Sequence, residues 1–198
     1  MEMWQMIAIL VIAVVALAVV GWAITRQQRT KRLTEQYGPE YERTVKERGD
    51  QRDAERELEE RQQRVRDYEI HPLPAQERDA YATRWRETQA EFVDDPSGAI
   101  SKADGLVRDL MSARGYPVAD FEQRAADVSV DHPHVVEEYR AAHAIAQRHA
   151  ADGVQTEDLR QGMVHYRALF DDLLEVKDSG EDVETAAERE EAAAGSPQ

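Results

Sequence analysis

MIAILVIAVVALAVVGWAI, Met6 to Ile24, is an apolar run without a charged residue. As a helix rising 1.5 Å per residue it is about 28 Å long, the depth of a hydrocarbon core of about 30 Å. Trp4 and Trp22 bracket it, about 27 Å apart along the axis, where interfacial aromatic side chains sit. The run therefore predicts an N-terminal transmembrane helix over residues 1–25, with Trp4 and Trp22 as its interface anchors. A cleaved signal peptide would carry a basic n-region, a shorter apolar core and a small-residue cleavage site. This chain starts Met-Glu-Met-Trp-Gln and follows the run with Trp22-Ala23-Ile24-Thr25, so an uncleaved anchor is expected.

Working outward, basic residues crowd the C-terminal flank: Arg26, Arg29, Lys31 and Arg32. The positive-inside rule puts that flank in the cytoplasm, with the short N-terminus outside, in a single-pass inner (plasma) membrane protein. These four cations are expected to lie on the lipid surface, making the bilayer itself a partner. Within the span Gly21 and Thr25 are a weak small-xxx-small pair, and no G-x-x-x-G occurs.

The formal net charge of −15 lies outside the span and argues against nucleic acid as a partner. There is no cysteine, which excludes disulfides and thiolate metal sites.

Residues 26–70 are rich in charge and poor in apolar groups. Glu42 with Lys46, Glu57 with Arg61, and Glu60 with Arg64 are i, i+4 pairs in the favourable order. Ala54, Leu58, Val65 and Tyr68 follow a coiled-coil-like seam, yet Arg61 occupies the place between Leu58 and Val65 that should be apolar. Gly38-Pro39 and Gly49-Asp50 interrupt the pattern. The expectation is a solvated, broken helical stalk, able to pack loosely on a partner or on its own copy as a homo-oligomer.

His71-Pro72-Leu73-Pro74 ends the stalk, because a residue before proline is pushed out of the helical region. Residues 71–176 then read as a small bundle of four to five helices. Tyr81, Trp85, Thr88 and Phe92 recur at helical spacing, and Asp95 can cap a helix that has Pro96 at its first position. Gly115 with Pro117 is a stop signal, and Asp120-x-x-Gln123 has a capping-box pattern. A further helix is expected from Asp131–Pro133, and a last one carries Leu159, Met163, Tyr166, Phe170 and Leu173. Gly162 inside it points to close approach of another helix. Nothing alternates with period two over strand length, so the fold class is all-α. Residues 177–198 are acidic and nearly free of large apolar groups, which predicts a disordered tail.

Histidine is the one tempting residue type for chemistry. His132, His134, His143 or His165 could serve a ligand- or metal-binding sensor, or a minor hydrolase. No two histidines stand at i, i+4 around a glutamate, and His143 and His149 point about 240° apart on a helix. Asp94-Asp95 and Asp171-Asp172 are adjacent acids that diverge by about 100°, unlike a facing catalytic pair. No Ser or Thr lies in a nucleophile-elbow or Walker pattern. The sequence thus predicts no catalytic residue, metal ligand or cofactor. It points to a non-enzymatic interaction or scaffold module whose partner is a membrane or cytoplasmic protein. The candidate surface is the Gly115–His134 region, with Tyr116, Phe121, Asp131, His132 and His134; the plainer alternative is that both aromatics plug the bundle.

Three stretches carry a resemblance: RGYPVADFEQRAADVSVDHPHVVEEYR (Arg114 to Arg140), LRQGMVHYRALF (Leu159 to Phe170) and FVDDP (Phe92 to Pro96). Together they resemble an uncharacterised bacterial family of single-span, membrane-anchored helical proteins. The resemblance covers about half of the chain, omits the stalk and the tail, and implies an architecture without an activity.

Overall fold

The positions at which the chain stops being able to continue a helix set the architecture. In the structure, a computed structural model that describes residues 2–117 and 119–174, these breaks separate α1 (Glu2–Tyr37), α2 (Pro39–Arg48), α3 (Gln51–Arg66), α4 (Ala75–Glu91), α5 (Pro96–Ala113), α6 (Phe121–Asp131), α7 (Val136–Asp152) and α8 (Thr156–Leu174). The fold is all-α, with no strand among the described residues. The acidic tail expected from 177 onward lies outside them.

Local chemistry accounts for the boundaries. Asp50 accepts hydrogen bonds from the amides of Arg52 and Asp53, at 2.8 and 3.1 Å, and so opens α3. Asp95 caps α5 through the Gly98 amide, with Pro96 as the first helical residue. Asp120 accepts from the Gln123 amide at 2.9 Å, but the Gln123 side chain does not return to complete a capping box. It donates forward to Asp127 Oδ1 at 2.8 Å. The helix expected from Asp131–Pro133 begins later, at Val136, leaving His132 to His134 in a turn. Gly115 closes α5 at φ 98°, and a Cβ there would lie 2.2 Å from the Glu69 carbonyl oxygen, so neither the backbone nor the space admits a side chain.

Helices α4 to α8 enclose the larger core, around Trp85, Ile100, Leu110, Tyr139, Tyr166 and Phe170. The Trp85 and Phe170 rings stack with centroids 4.5 Å apart. A Cβ on Gly162 would stand 2.9 Å from Ile100 Cδ1 and 3.2 Å from Ile145 Cγ2, so α8 approaches α5 and α7 closely there, as the sequence led us to expect.

Residues 26–70 are not a solvated stalk. The C-terminal third of α1, then α2 and α3, run up, down and up around a second core of Leu33, Tyr37, Tyr41 and Leu58. Three hydrogen bonds join α1 and α3 along a parallel course. Gln51 Nε2 donates to Thr30 Oγ1 at 3.2 Å, Tyr37 Oη to the Leu58 carbonyl at 3.0 Å, and Gln62 Nε2 to Gln36 Oε1 at 2.7 Å. Ala54, Leu58 and Val65 of the expected coiled-coil seam are buried inside the chain, and Tyr68 is half-buried. Arg61 is buried with them, and its carboxylate partners turn a seam-breaking residue into an internal one.

Among the described residues no helix is long and apolar enough to cross a membrane; the side chains at 2, 5, 6, 8, 9 and 11–15 lie outside the described set. The expected span falls within α1, where Leu10, Leu17, Val19, Val20, Trp22 and Ile24 are all at least half exposed. Further along the same helix, Leu33 and Tyr37 are fully buried. One uninterrupted helix thus passes from an uncovered apolar stretch into a folded core.

Candidate functional site

The turn between α6 and α7 brings His132 and His134 to a single acid, Asp172 of α8. His134 Nε2 stands 2.9 Å from Asp172 Oδ1, and His132 Nδ1 is hydrogen-bonded to the other carboxylate oxygen. An ionised carboxylate only accepts, so both rings donate to Asp172, and His132 Nε2 is left as that ring's other nitrogen. That nitrogen is buried without a hydrogen-bond partner among the described residues. Burial pushes the Asp172 carboxyl upward, but the bonds and charges of His132 and His134 outweigh it and hold the group below its ordinary value.

This cluster forms one wall of an open cleft of about 920 Å3. The facing wall comes from the smaller core's helices, with Arg32, Gln36, Gln62 and Arg66. Arg114 lies at the cleft's edge, buried, and its Nη1 donates to the Leu173 carbonyl at 2.9 Å, neutralising the C-terminal end of α8. The lining is mixed in charge, and among the described residues that form it there is no Ser, Thr or Cys.

Of the sequence's candidate surface, Asp131, His132 and His134 line this cleft. Tyr116 is buried and Phe121 is half-buried, and neither lines the cleft. Tyr116 is 3% exposed, and its hydroxyl donates to Asp131 Oδ2 at 3.0 Å; burial foremost, then the Asp131 charge, pushes the phenol far up. Phe121 is half-buried, stacked on His143 with centroids 3.6 Å apart and tilted against Tyr139 at 5.0 Å. Both aromatics plug the bundle. His143, stacked on Phe121, and His165, hydrogen-bonded to Glu138, do not line the cleft, and burial lowers the affinity of His143 for a proton. Among the described residues no group of three or more His, Cys, Asp or Glu side chains gathers as a metal requires.

The four cations expected to lie on the lipid surface find partners within the chain in three cases. Arg29 pairs with Glu59 at 2.7 Å, Arg32 reaches the same acid at 3.7 Å, and Lys31 pairs with Glu35 at 3.7 Å. Arg26 instead places its guanidinium 5.5 Å from the centroid of the Trp22 ring.

A buried ionic centre joins the two cores. Glu40 is wholly buried, and its Oε1 accepts from Arg61 Nη1 at 2.8 Å and from Arg140 Nη2 of α7 at 3.1 Å. Arg61 is also hydrogen-bonded to Glu57 and lies 3.5 Å from Ser129 Oγ of α6. Nearby, Arg64 Nε donates to Asp127 Oδ1 at 2.9 Å and Tyr68 Oη to Oδ2 at 3.1 Å. Sequence reading missed this centre; the arginine in the apolar seam was its signal, but nothing local named the partners. Asp172 was missed as the histidines' partner for the same reason, forty residues away from His132.

No protein-family model matches the chain, and no curated protein or solved structure matches it either. The roles of the cleft residues therefore follow from their geometry alone.

Proposed function

We propose that the chain is a membrane-tethered, non-enzymatic helical interaction module. Residues 6–24 form the anchor, the N-terminus lies outside, and the cleft side of the helical domain meets a protein partner in the cytoplasm. The observation that carries this reading is the two-part character of α1. Among the described residues, its first 24 include nearly all the large apolar side chains that stand exposed, whereas Leu33 and Tyr37 are core. A long exposed apolar stretch on one helix needs a covering, and hydrocarbon matches its length. Because the helix continues into the core, the domain would be held rigidly instead of hanging on a flexible tether. Arg32 and Gln36 of the cleft would then stand about 12–18 Å beyond Ile24 along the axis.

Extraction of membranes at alkaline pH tests the anchor: the full chain is expected to stay in the pellet, and release into the supernatant would sink the reading. A photoreactive side chain at position 134 tests the cleft against one at Arg148 on α7. A recurrent protein adduct from position 134 alone is expected, and equal labelling from both positions would remove the cleft from the proposal.

The His132–Asp172 pair favours a second reading, a ligand- or metal-binding sensor or a water-activating hydrolase. The unpartnered His132 Nε2 is its basis. A thermal shift with divalent ions that disappears in His132→Ala would favour it over the interaction module.

A further inference from the structure

The up-down-up course of α1, α2 and α3 returns the chain to the level at which the apolar run ends. From Tyr37, α2 runs back ten residues, about 15 Å, to the turn at Gly49 and Asp50. The first turns of α3 accordingly stand beside Trp22 to Arg29. One hollow there is lined by Trp22, Thr25, Arg26 and Arg29 from α1, with Arg52, Glu55, Arg56 and Glu59 from α3. A second hollow, which shares Trp22 and Arg26 with the first, also takes in Lys31 and Gln51. The residues from Trp22 to Arg29 cover about 10 Å of helix axis, comparable to a headgroup layer.

The charges in the first hollow divide into two classes. Glu55 is buried, accepting from Thr30, Tyr41 and Gln51, and burial raises its carboxyl less than these bonds and Arg29 lower it. Glu59 is taken by Arg29 and Arg32, and Arg56 by Asp53 at 2.8 Å. Both acids are thus engaged by the protein. Arg26 and Arg52 have no carboxylate within ion-pair distance among the described residues, although acids are abundant in this chain. Arg29 Nε is buried with no hydrogen-bond partner, 3.8 Å from Glu55 Oε2.

We propose that this hollow, between Trp22, Arg26 and Arg52, binds the phosphate of an anionic phospholipid headgroup. Two guanidiniums without a carboxylate partner among the described residues, that of Arg26 resting 5.5 Å from the Trp22 ring centroid, supply planar donors suited to phosphate oxygens, and the indole supplies the interfacial wall. The helical domain thereby contacts the bilayer a second time, through α3, which fixes its rotation about the anchor. The proposal rests on the membrane reading of α1 given above and adds a residue, Arg52, that lies far from the anchor in sequence.

The test uses the full chain reconstituted in nanodiscs of phosphatidylcholine and phosphatidylglycerol, released and weighed by native mass spectrometry. Several-fold enrichment of retained phosphatidylglycerol over phosphatidylcholine is expected. Arg26→Gln with Arg52→Gln should abolish the enrichment, and Arg86→Gln with Arg148→Gln, which removes the same charge from the bundle, should keep it. Neither arginine of the first pair has an ion pair among the described residues, so an unchanged melting temperature is expected and would verify that the fold survives. Enrichment equal in both variants, or absent from the parent chain, would overturn the site. Loss of the lipid on adding inorganic phosphate at millimolar concentration would overturn it too, by assigning the hollow to the free ion. Alkaline extraction of the same samples separates the two readings. A chain that stays in the membrane without enrichment loses only the headgroup site, whereas a chain that is extracted loses the anchor and this site with it.

Discussion

Arg61 donates to Glu40 at 2.8 Å across the α2–α3 pair, with both side chains buried, and Arg140 of the bundle meets the same carboxylate oxygen. Removing one member of a buried ionic cluster strands the others without a counter-charge. Glu40→Ala is expected to lose about 3–5 kcal/mol in urea unfolding. Glu40→Leu combined with Arg61→Leu should recover part of that, because fewer buried charges are left unpaired, and Arg140 keeps Glu122 at 3.1 Å. A loss below about 1 kcal/mol for Glu40→Ala would show the centre to be incidental.

Asp172 and Glu137 should answer to pH with opposite signs. The folded carboxyl of Asp172 is depressed, so its contribution is present above the unfolded value, near 3.9, and is lost as pH falls through the folded value. Asp172→Asn is therefore expected to lose about 1–2 kcal/mol at pH 6, with the deficit closing below about pH 4. A deficit that stays constant down to pH 3 would refute the linkage.

For Glu137, burial and then the charge of Glu40 raise the folded carboxyl above its ordinary value. Ionising it in the folded protein is unfavourable, so a penalty exists above the folded value and is relieved as pH falls below the unfolded one. Glu137→Gln is expected to raise the melting temperature at neutral pH by a degree or so, since its side chain is half exposed and screened. The gain should vanish under acid conditions. A lowered melting temperature at pH 7 would mean that the 4.0 Å approach to Arg43 dominates.

Gly115 is held at φ 98° against the backbone of Glu69 and Ile70, where the chain enters the larger core's first loop. Gly115→Ala adds a disfavoured backbone conformation to a contact that only backbone movement can relieve. It is expected to lose about 3 kcal/mol or more. Gly105→Ala in α5 is the comparison: the nearest atom there is a flexible Arg108 nitrogen at 3.9 Å, and a helix-interior Gly gains stability on becoming Ala. Equal melting temperatures for the two variants would contradict the geometry.

The apolar spacing of α4, α5 and α8, the Asp95 cap, the Gly115 stop and the absence of strands were legible because they are local. Each depends on residues within a turn or two of one another, and on periodicities that backbone geometry imposes. Residues 26–70 were misread for the opposite reason. Their composition is that of a solvated helix, and only the return of α2 along α1 supplies enclosure for Leu58 and a counter-charge for Arg61. The candidate surface divides along the same line. His132 and His134 could be singled out in sequence, but Asp172 as their shared partner, the burial of Tyr116 and the packing of Phe121 on His143 and Tyr139 depend on how the helices pack.

By itself, the sequence determined an all-helical chain, its main helix boundaries and an apolar run ahead of a charged one. Tertiary structure alone decided that the charged region is a second core rather than a spacer, and which acid each arginine and histidine meets. Helix formation is governed by contacts a few residues apart, so it is written in short windows of sequence. Burial of a charge depends on partners brought together from distant segments, and no short window contains them.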